Sequence, residues 1–171
     1  AGRSAAPVVC VDVVCSARIT VTASDPEGDV SFSIAFSDMA GNAGVPVTAV
    51  THGLNASIDT TPPVLSLVNM QAFSPVGPGA TISMFFTASE LLWNDSAQVT
   101  MGNRSIGVVK CVGTICTANM TVVASDVDGE VNFWISYSDR AGNEGDVVTS
   151  ITHGERAVID TTAPVLTSVV M

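Results

Sequence analysis

The chain has 171 residues, 16 Asp and Glu against 6 Lys and Arg, and a formal net charge of −10, with a pI near 4.2. Such a charge repels phosphates and anionic membranes, so no nucleic-acid partner is expected. No apolar run approaches the roughly 20 residues of a membrane-spanning helix, so no membrane insertion is expected.

Valine, threonine, serine and glycine dominate and lysine is nearly absent, a mix that suits strands and turns. The length allows one or two small domains. The fold class expected is all-β. No signal peptide is visible and the first residue is Ala1, which predicts a mature product or a piece of a longer chain.

In chain order, Cys10 and Cys15 come first, and then Ile19, Val21 and Ala23 on one face of a strand. Asp25-Pro-Glu27-Gly-Asp29 turns the chain into VSFSIAFSDMAGNAG, residues 30–44. There Val30, Phe32, Ile34 and Phe36 alternate with smaller residues, the period-2 pattern of a half-buried strand. The strand stops at Ala-Gly-Asn, whose Gly and Asn tolerate positive φ. After Thr51-His52-Gly53 the run IDTTPP marks a joint, because proline cannot continue a ladder.

Val64 to Val68 open the next strand, and Ser74-Pro-Val-Gly-Pro-Gly79 is a turn-rich loop. Ile82, Met84, Phe86 and Ala88 are predicted to point inward. Leu91 to Ser96 read as a crossing between sheets. Val99 and Met101 begin a strand expected to run to Cys111. Met120, Val122 and Ala124 line another. Asp126-Val-Asp128-Gly-Glu130 leads into VNFWISYSDRAGNEG, residues 131–145, with Val131, Phe133, Ile135 and Tyr137 inward. Val147 to Ile151 and Ala157 to Ile159 are expected to finish the fold.

Residues 1–70 match residues 102–171 without a gap, at 37 of 70 positions. Arg3-Ser4 meets Arg104-Ser105, SDMAGNAG meets SDRAGNEG, and IDTTPPVL meets IDTTAPVL. A fixed offset of 101 is the mark of a tandem array. A unit of about 100 residues with short alternating strands has the size of an immunoglobulin-like sandwich. The chain is therefore divided into residues 1–60 (the C-terminal part of one Ig-like domain), 61–161 (a complete domain), and 162–171 (the first strand of a following domain, or a donor strand).

This division leaves the face of Phe32, Ile34 and Phe36 open, and open apolar strands associate. Two readings follow. In one, Pro164, Val165, Leu166, Val169, Val170 and Met171 of one copy complete the open domain of the next by strand addition, head to tail. In the other, the residues belong to a longer continuous array. Both make a linear polymer in which the partner is another copy or another repeat.

The remaining motifs bear on chemistry. One Cys-x4-Cys pair per repeat, Cys10/Cys15 and Cys111/Cys116, suits a hairpin closed by a disulfide and an oxidising compartment. Four Asn-x-Ser/Thr sequons stand at Asn55, Asn94 (before Asp95 and Ser96), Asn103 and Asn119. Eight asparagines in a chain one-fifth Ser and Thr predict about one or two by chance. The excess points to N-linked glycans on a secreted protein, and the many hydroxyls permit O-linked ones. Asp25, Glu27 and Asp29, like Asp126, Asp128 and Glu130, put carboxylates at alternate positions beside a glycine. Oxygen ligands so spaced suit calcium, although no EF-hand loop is present, and short acidic turns between strands are common without a metal. His52 and His153 read as turn residues. Trp134 points away from the inward face. No nucleophile elbow or phosphate loop is present, and an enzyme is not expected.

The D-x-A-G-N turns at Asp38 and Asp139, each followed by the D-T-T-x-P joint at Asp59 or Asp160, resemble the Ig-like repeats of bacterial adhesins. The resemblance covers about 30 residues of each repeat. It implies tandem Ig-like sandwiches outside the cell, serving adhesion or scaffolding. The cysteine pairs and sequons depart from that pattern. They look more like glycosylated eukaryotic surface filaments such as the mastigoneme proteins. The expected function is a structural subunit of an extracellular filament with no cofactor. The alternative is a calcium-rigidified adhesin stalk or ligand-binding adhesion module.

Overall fold

The computed structural model describes residues 7–73, 75–94 and 96–171. Arg3, Ser4, Ser74 and Asp95, all named above, lie outside the described residues. The described residues form strands and turns with no helix, as the composition predicts. The chain divides into two units between Thr60 and Thr61.

The first unit holds four short strands: β1 (Val9–Val11), β2 (Val14–Ser16), β3 (Gly28–Asp29) and β4 (Ser57–Ile58). β1 and β2 form a hairpin with Cys10 opposite Cys15. Its turn needs a left-handed residue, and Asp12 supplies it at φ 53°. β3 pairs with β4. Isolated bridges join Ile34 to Val47 and Ser37 to Ala43. None of the described residues in this unit is buried.

The second unit holds β5 (Leu65–Gln71), β6 (Thr81–Ala88), β7 (Gln98–Met101), β8 (Arg104–Ile106), β9 (Val109–Val112), β10 (Ile115–Thr121), β11 (Gly129–Glu130), β12 (Phe133–Ser136) and β13 (Val158–Ile159). One sheet runs β5-β6-β10-β9 and a second runs β12-β7-β8, with β11 paired to β13. All pairings between named strands are antiparallel. The segment from Ser89 to Ala97 carries the chain from the first sheet to the second.

Side chains from both sheets meet in one apolar cluster. Val68, Met70, Ile82, Met84, Phe86, Ala118 and Met120 come from the four-stranded sheet, and Val99, Met101, Phe133 and Ile135 from the three-stranded one. Burying each large side chain is worth about 1.5–3 kcal/mol. Alternation decides which residues enter: Ile82, Met84 and Phe86 are buried while Ser83 and Phe85 between them are not.

Sequence expectations are corrected in both units. In the first, neither Ile19, Val21 and Ala23 nor Val30, Phe32, Ile34 and Phe36 lie in a strand, because they find only scattered backbone partners, such as Val30 with Ala56 and Ile34 with Val47, rather than a continuous ladder. In the second unit three more change. Val99 and Met101 do not begin a strand that reaches Cys111. Gly102 (φ 56°) and Asn103 (φ 62°) reverse the chain, because two successive positive φ values make the tight hairpin between β7 and β8. Gly107 and Val108 then carry it back to the first sheet as β9. Ala124 is exposed, since β10 ends at Thr121 and Asp126 N–H closes a turn on the Val123 carbonyl at 3.0 Å. Val147 to Ile151 make only the bridge from Val148 to Ile135.

Candidate functional site

The D-x-A-G-N motif serves the turn itself. Asp139 is buried, and its Oδ1 accepts from the backbone N–H of Gly142 at 2.7 Å and of Asn143 at 2.9 Å. Its Oδ2 accepts from Asn143 Nδ2 at 2.8 Å. Burial pushes this carboxyl up, but the bonds from Asn143, Gly142 and Ala141 outweigh it and hold it below the usual carboxylate value. Asp38 repeats the arrangement in the open, accepting from Ala40 N–H, Asn42 N–H and Asn42 Nδ2 at 2.9, 2.8 and 2.8 Å. The bond from the Asn42 side chain, then those from the backbone, lower it too.

The acidic loops divide their carboxylates among separate tasks. Asp126 pairs with Arg104 at 3.2 Å and accepts from Val123 N–H at 2.8 Å. Asp128 accepts from Thr161 N–H, Thr161 Oγ1 and Thr162 Oγ1, each at 2.7 Å, and these bonds lower its carboxyl. Glu130 lies in β11. In the first unit Asp25 accepts from Thr22 N–H at 2.8 Å, Glu27 accepts from Thr60 N–H and Oγ1 at 3.1 Å, and Asp29 lies in β3. Among the described residues neither triad gathers three ligand oxygens within 4.8 Å of one another. The middle acid of each loop instead ties the D-T-T segment to its unit.

The sequon asparagines Asn55, Asn94, Asn103 and Asn119 are all exposed. Asn103 sits at the tip of the β7–β8 hairpin. Asn119 stands on the outer face of β10, opposite Ser83 and beside exposed Thr121, while its neighbour Met120 is buried. Cys10 is bonded to Cys15 and Cys111 to Cys116, each pair directly opposite across its hairpin. The second hairpin places Gly113 (φ 63°) where the first has Asp12.

The candidate assembly residues form two groups. The first is the apolar segment Phe32 to Phe36 of the first unit, which forms no strand and makes only the isolated bridge at Ile34. Ile34 and Phe36 are each 54% exposed and Phe32 is half-buried, whereas Ile135 and Tyr137 are 0% and 4% exposed and Phe133 is buried. Residues 1–60 contain no copy of β5, β6 or β7, which supply much of the cover in the second unit. The second group is the segment Pro164, Val165, Leu166, Val169, Val170 and Met171. All six are exposed and none belongs to a strand.

Sequence reasoning read the Thr-His-Gly stretch as a turn and missed what its threonine does. Thr152 N–H donates to the Val68 carbonyl at 2.8 Å, and Val68 N–H donates to Thr152 Oγ1 at 2.9 Å. That pair holds the free edge of β5. The signal was the repetition of the same residue as Thr51. No protein-family model, curated protein or solved structure matches this chain.

Proposed function

We propose that this chain is a structural module of an extracellular fibre, built of tandem Ig-like sandwiches that are disulfide-bonded, glycosylated and joined head to tail. The observation that carries the reading is one unit present twice at an offset of 101 residues, each copy with its own cross-hairpin disulfide, its own D-x-A-G-N turn held by the Asp carboxylate and its own acid tied to the D-T-T segment. The sheet orders β5-β6-β10-β9 and β12-β7-β8, with Val148 beside β12, fit the four-strand and three-strand sheets of an Ig-like sandwich. Both disulfides suit an oxidising compartment. No helix among the described residues is long and apolar enough to cross a membrane. Four exposed sequon asparagines support glycans directed to solvent.

Electron microscopy of the native material, without denaturant and with averaging along any fibre, tests this. The expected result is a fibre repeating every one or two Ig-like domains, with branches at Asn55, Asn94, Asn103 or Asn119, unchanged by a calcium chelator. Isolated particles at every concentration overturn it. Fibres that dissolve in chelator favour a calcium-rigidified stalk.

A further inference from the structure

We infer that the glycan on Asn94 lies in the groove beside it, with its first sugar stacked on the Trp93 ring and its body over the outer edge of β9. This rests on the glycan part of the proposed function and names where one glycan goes.

The groove has two banks. One is the crossing between the sheets, where Leu92 and Ala97 are buried and Trp93 and Asn94 are exposed. The other is β9. The cleft between them holds about 560 Å³, inside the roughly 300–1,000 Å³ of small-ligand clefts. The crossing fixes the tryptophan backbone. Trp93 N–H donates to the Ser138 carbonyl at 2.9 Å, Ser96 Oγ donates to the same carbonyl at 2.8 Å, and Ser96 N–H donates to the Trp93 carbonyl at 3.1 Å. The side chain nevertheless stays 58% exposed. A pinned backbone that presents a bare ring is preorganised for a flat partner. The negative face of an indole attracts the C–H groups on the apolar face of a sugar ring, as it attracts an aromatic edge. Asn94 is the next residue, so an attached sugar is delivered to that face at high effective concentration.

β9 supplies an independent reason for cover. It pairs with β10 on one side and, among the described residues, with no strand on the other. Val112 on it is 84% exposed. An open apolar edge is a template for pairing with another chain. Lys110, the single lysine of the chain, is the only charge on β9 and lines the same groove. Its ammonium donates to hydroxyls, which a glycan offers in number. A hydrated glycan over this edge leaves no room for a second strand. In the modification, the Asn94 side-chain nitrogen bonds to the anomeric carbon of a lipid-pyrophosphate-linked oligosaccharide. The bond from that carbon to the pyrophosphate oxygen breaks, the lipid pyrophosphate leaves, and the amide gives up one proton.

The test uses the full chain from a secreting eukaryotic host. Glycopeptide mass spectrometry first reads Asn94. An unmodified Asn94 overturns this inference, and electron microscopy of the native material decides the fibre reading separately. Trp134→Phe leaves Trp93 as the one tryptophan. In that background, acrylamide quenching should be about twofold weaker with the glycan than with Asn94→Gln, because stacking covers one of the two ring faces. Trimming the glycan to its first sugar should keep the protection. Equal quenching with and without the glycan overturns the seat. Protection of the Asn94→Gln chain that grows with concentration gives the groove to a second copy and overturns it too. Urea unfolding, read by Trp134, supplies a second measurement. Asn94→Gln should lower the folded-to-unfolded ratio by about threefold or more when Trp93 is present, and should leave it unchanged in Trp93→Ala chains. An equal loss in both backgrounds contradicts stacking.

Discussion

Ile34 and Ile135 stand in the same motif, each bridged to a valine thirteen residues on, Val47 and Val148. Their backbone hydrogen bonds also agree: Ile34 N–H donates to the Val47 carbonyl at 2.9 Å and Ile135 N–H to the Val148 carbonyl at 2.9 Å. Only the second is buried. The two units therefore share local structure down to single bonds and differ in what lies across from it. Hydrogen bonding along a strand does not bury its side chains. A second sheet does, and of its four strands residues 1–60 hold copies only of β9 and β10, as β1 and β2.

The sharpest way to break this comparison is to truncate both isoleucines. Ile135→Ala should cost about 2–5 kcal/mol, the range for a large residue cut back in a packed core. Urea unfolding followed by tryptophan fluorescence measures it. Ile34→Ala in dilute solution should cost less than about 0.5 kcal/mol, as for a surface site. Hydrogen exchange at the Ile34 and Val47 amides reads this unit. Equal costs would mean that the first unit's face is closed in solution.

Glycine sharpens the comparison next. A methyl group on Gly145 would run into the Tyr137 ring and the Pro63 carbonyl, and one on Gly44 would run into the Phe36 ring. Tyr137 is buried and cannot yield, so Gly145→Ala should cost about 1–3 kcal/mol. Phe36 is exposed and can swing away, so Gly44→Ala should cost clearly less. Parallel urea and hydrogen-exchange titrations of the two variants decide it.

The smallest effect concerns the turn carboxylates. Asp139→Asn should cost about 1 kcal/mol, since it weakens charge-assisted bonds that water cannot replace. Asp38→Asn should cost less, because water reaches the same donors. The folded Asp139 carboxyl is held below its ordinary value of 3.8. Its contribution is therefore complete above that value and is lost as pH falls through the lowered folded value. The gap between unaltered chain and Asp139→Asn should be constant near neutrality and close on acidification below 3.8. A gap that widens in acid would contradict the direction of the shift.

Much of the second unit was legible in the sequence. Ile82, Met84 and Phe86, and Val131, Phe133, Ile135 and Tyr137, were all placed inward by alternation, and all are buried. The cysteine spacing marked both hairpins. The reversal at Gly102-Asn103 was missed because apolar residues on both sides continue the alternation, and a Gly-Asn pair inside such a pattern looks like a strand interruption. Val147 to Ile151 looked like a strand from their residue types, yet only Val148 finds a backbone partner. The role of Thr152 was hidden because its partner Val68 lies 84 residues away.

The sequence by itself determined the parity of each strand, the hairpin disulfides and the turns, because each depends on neighbours within a few residues. Backbone geometry sends successive side chains to opposite faces whatever else the chain does. The tertiary structure alone decided whether a face so prepared becomes a core. Burial requires a second surface brought from elsewhere, and β5 and β6 of the facing sheet help bring it to Ile135, while residues 1–60 hold no copy of those two strands.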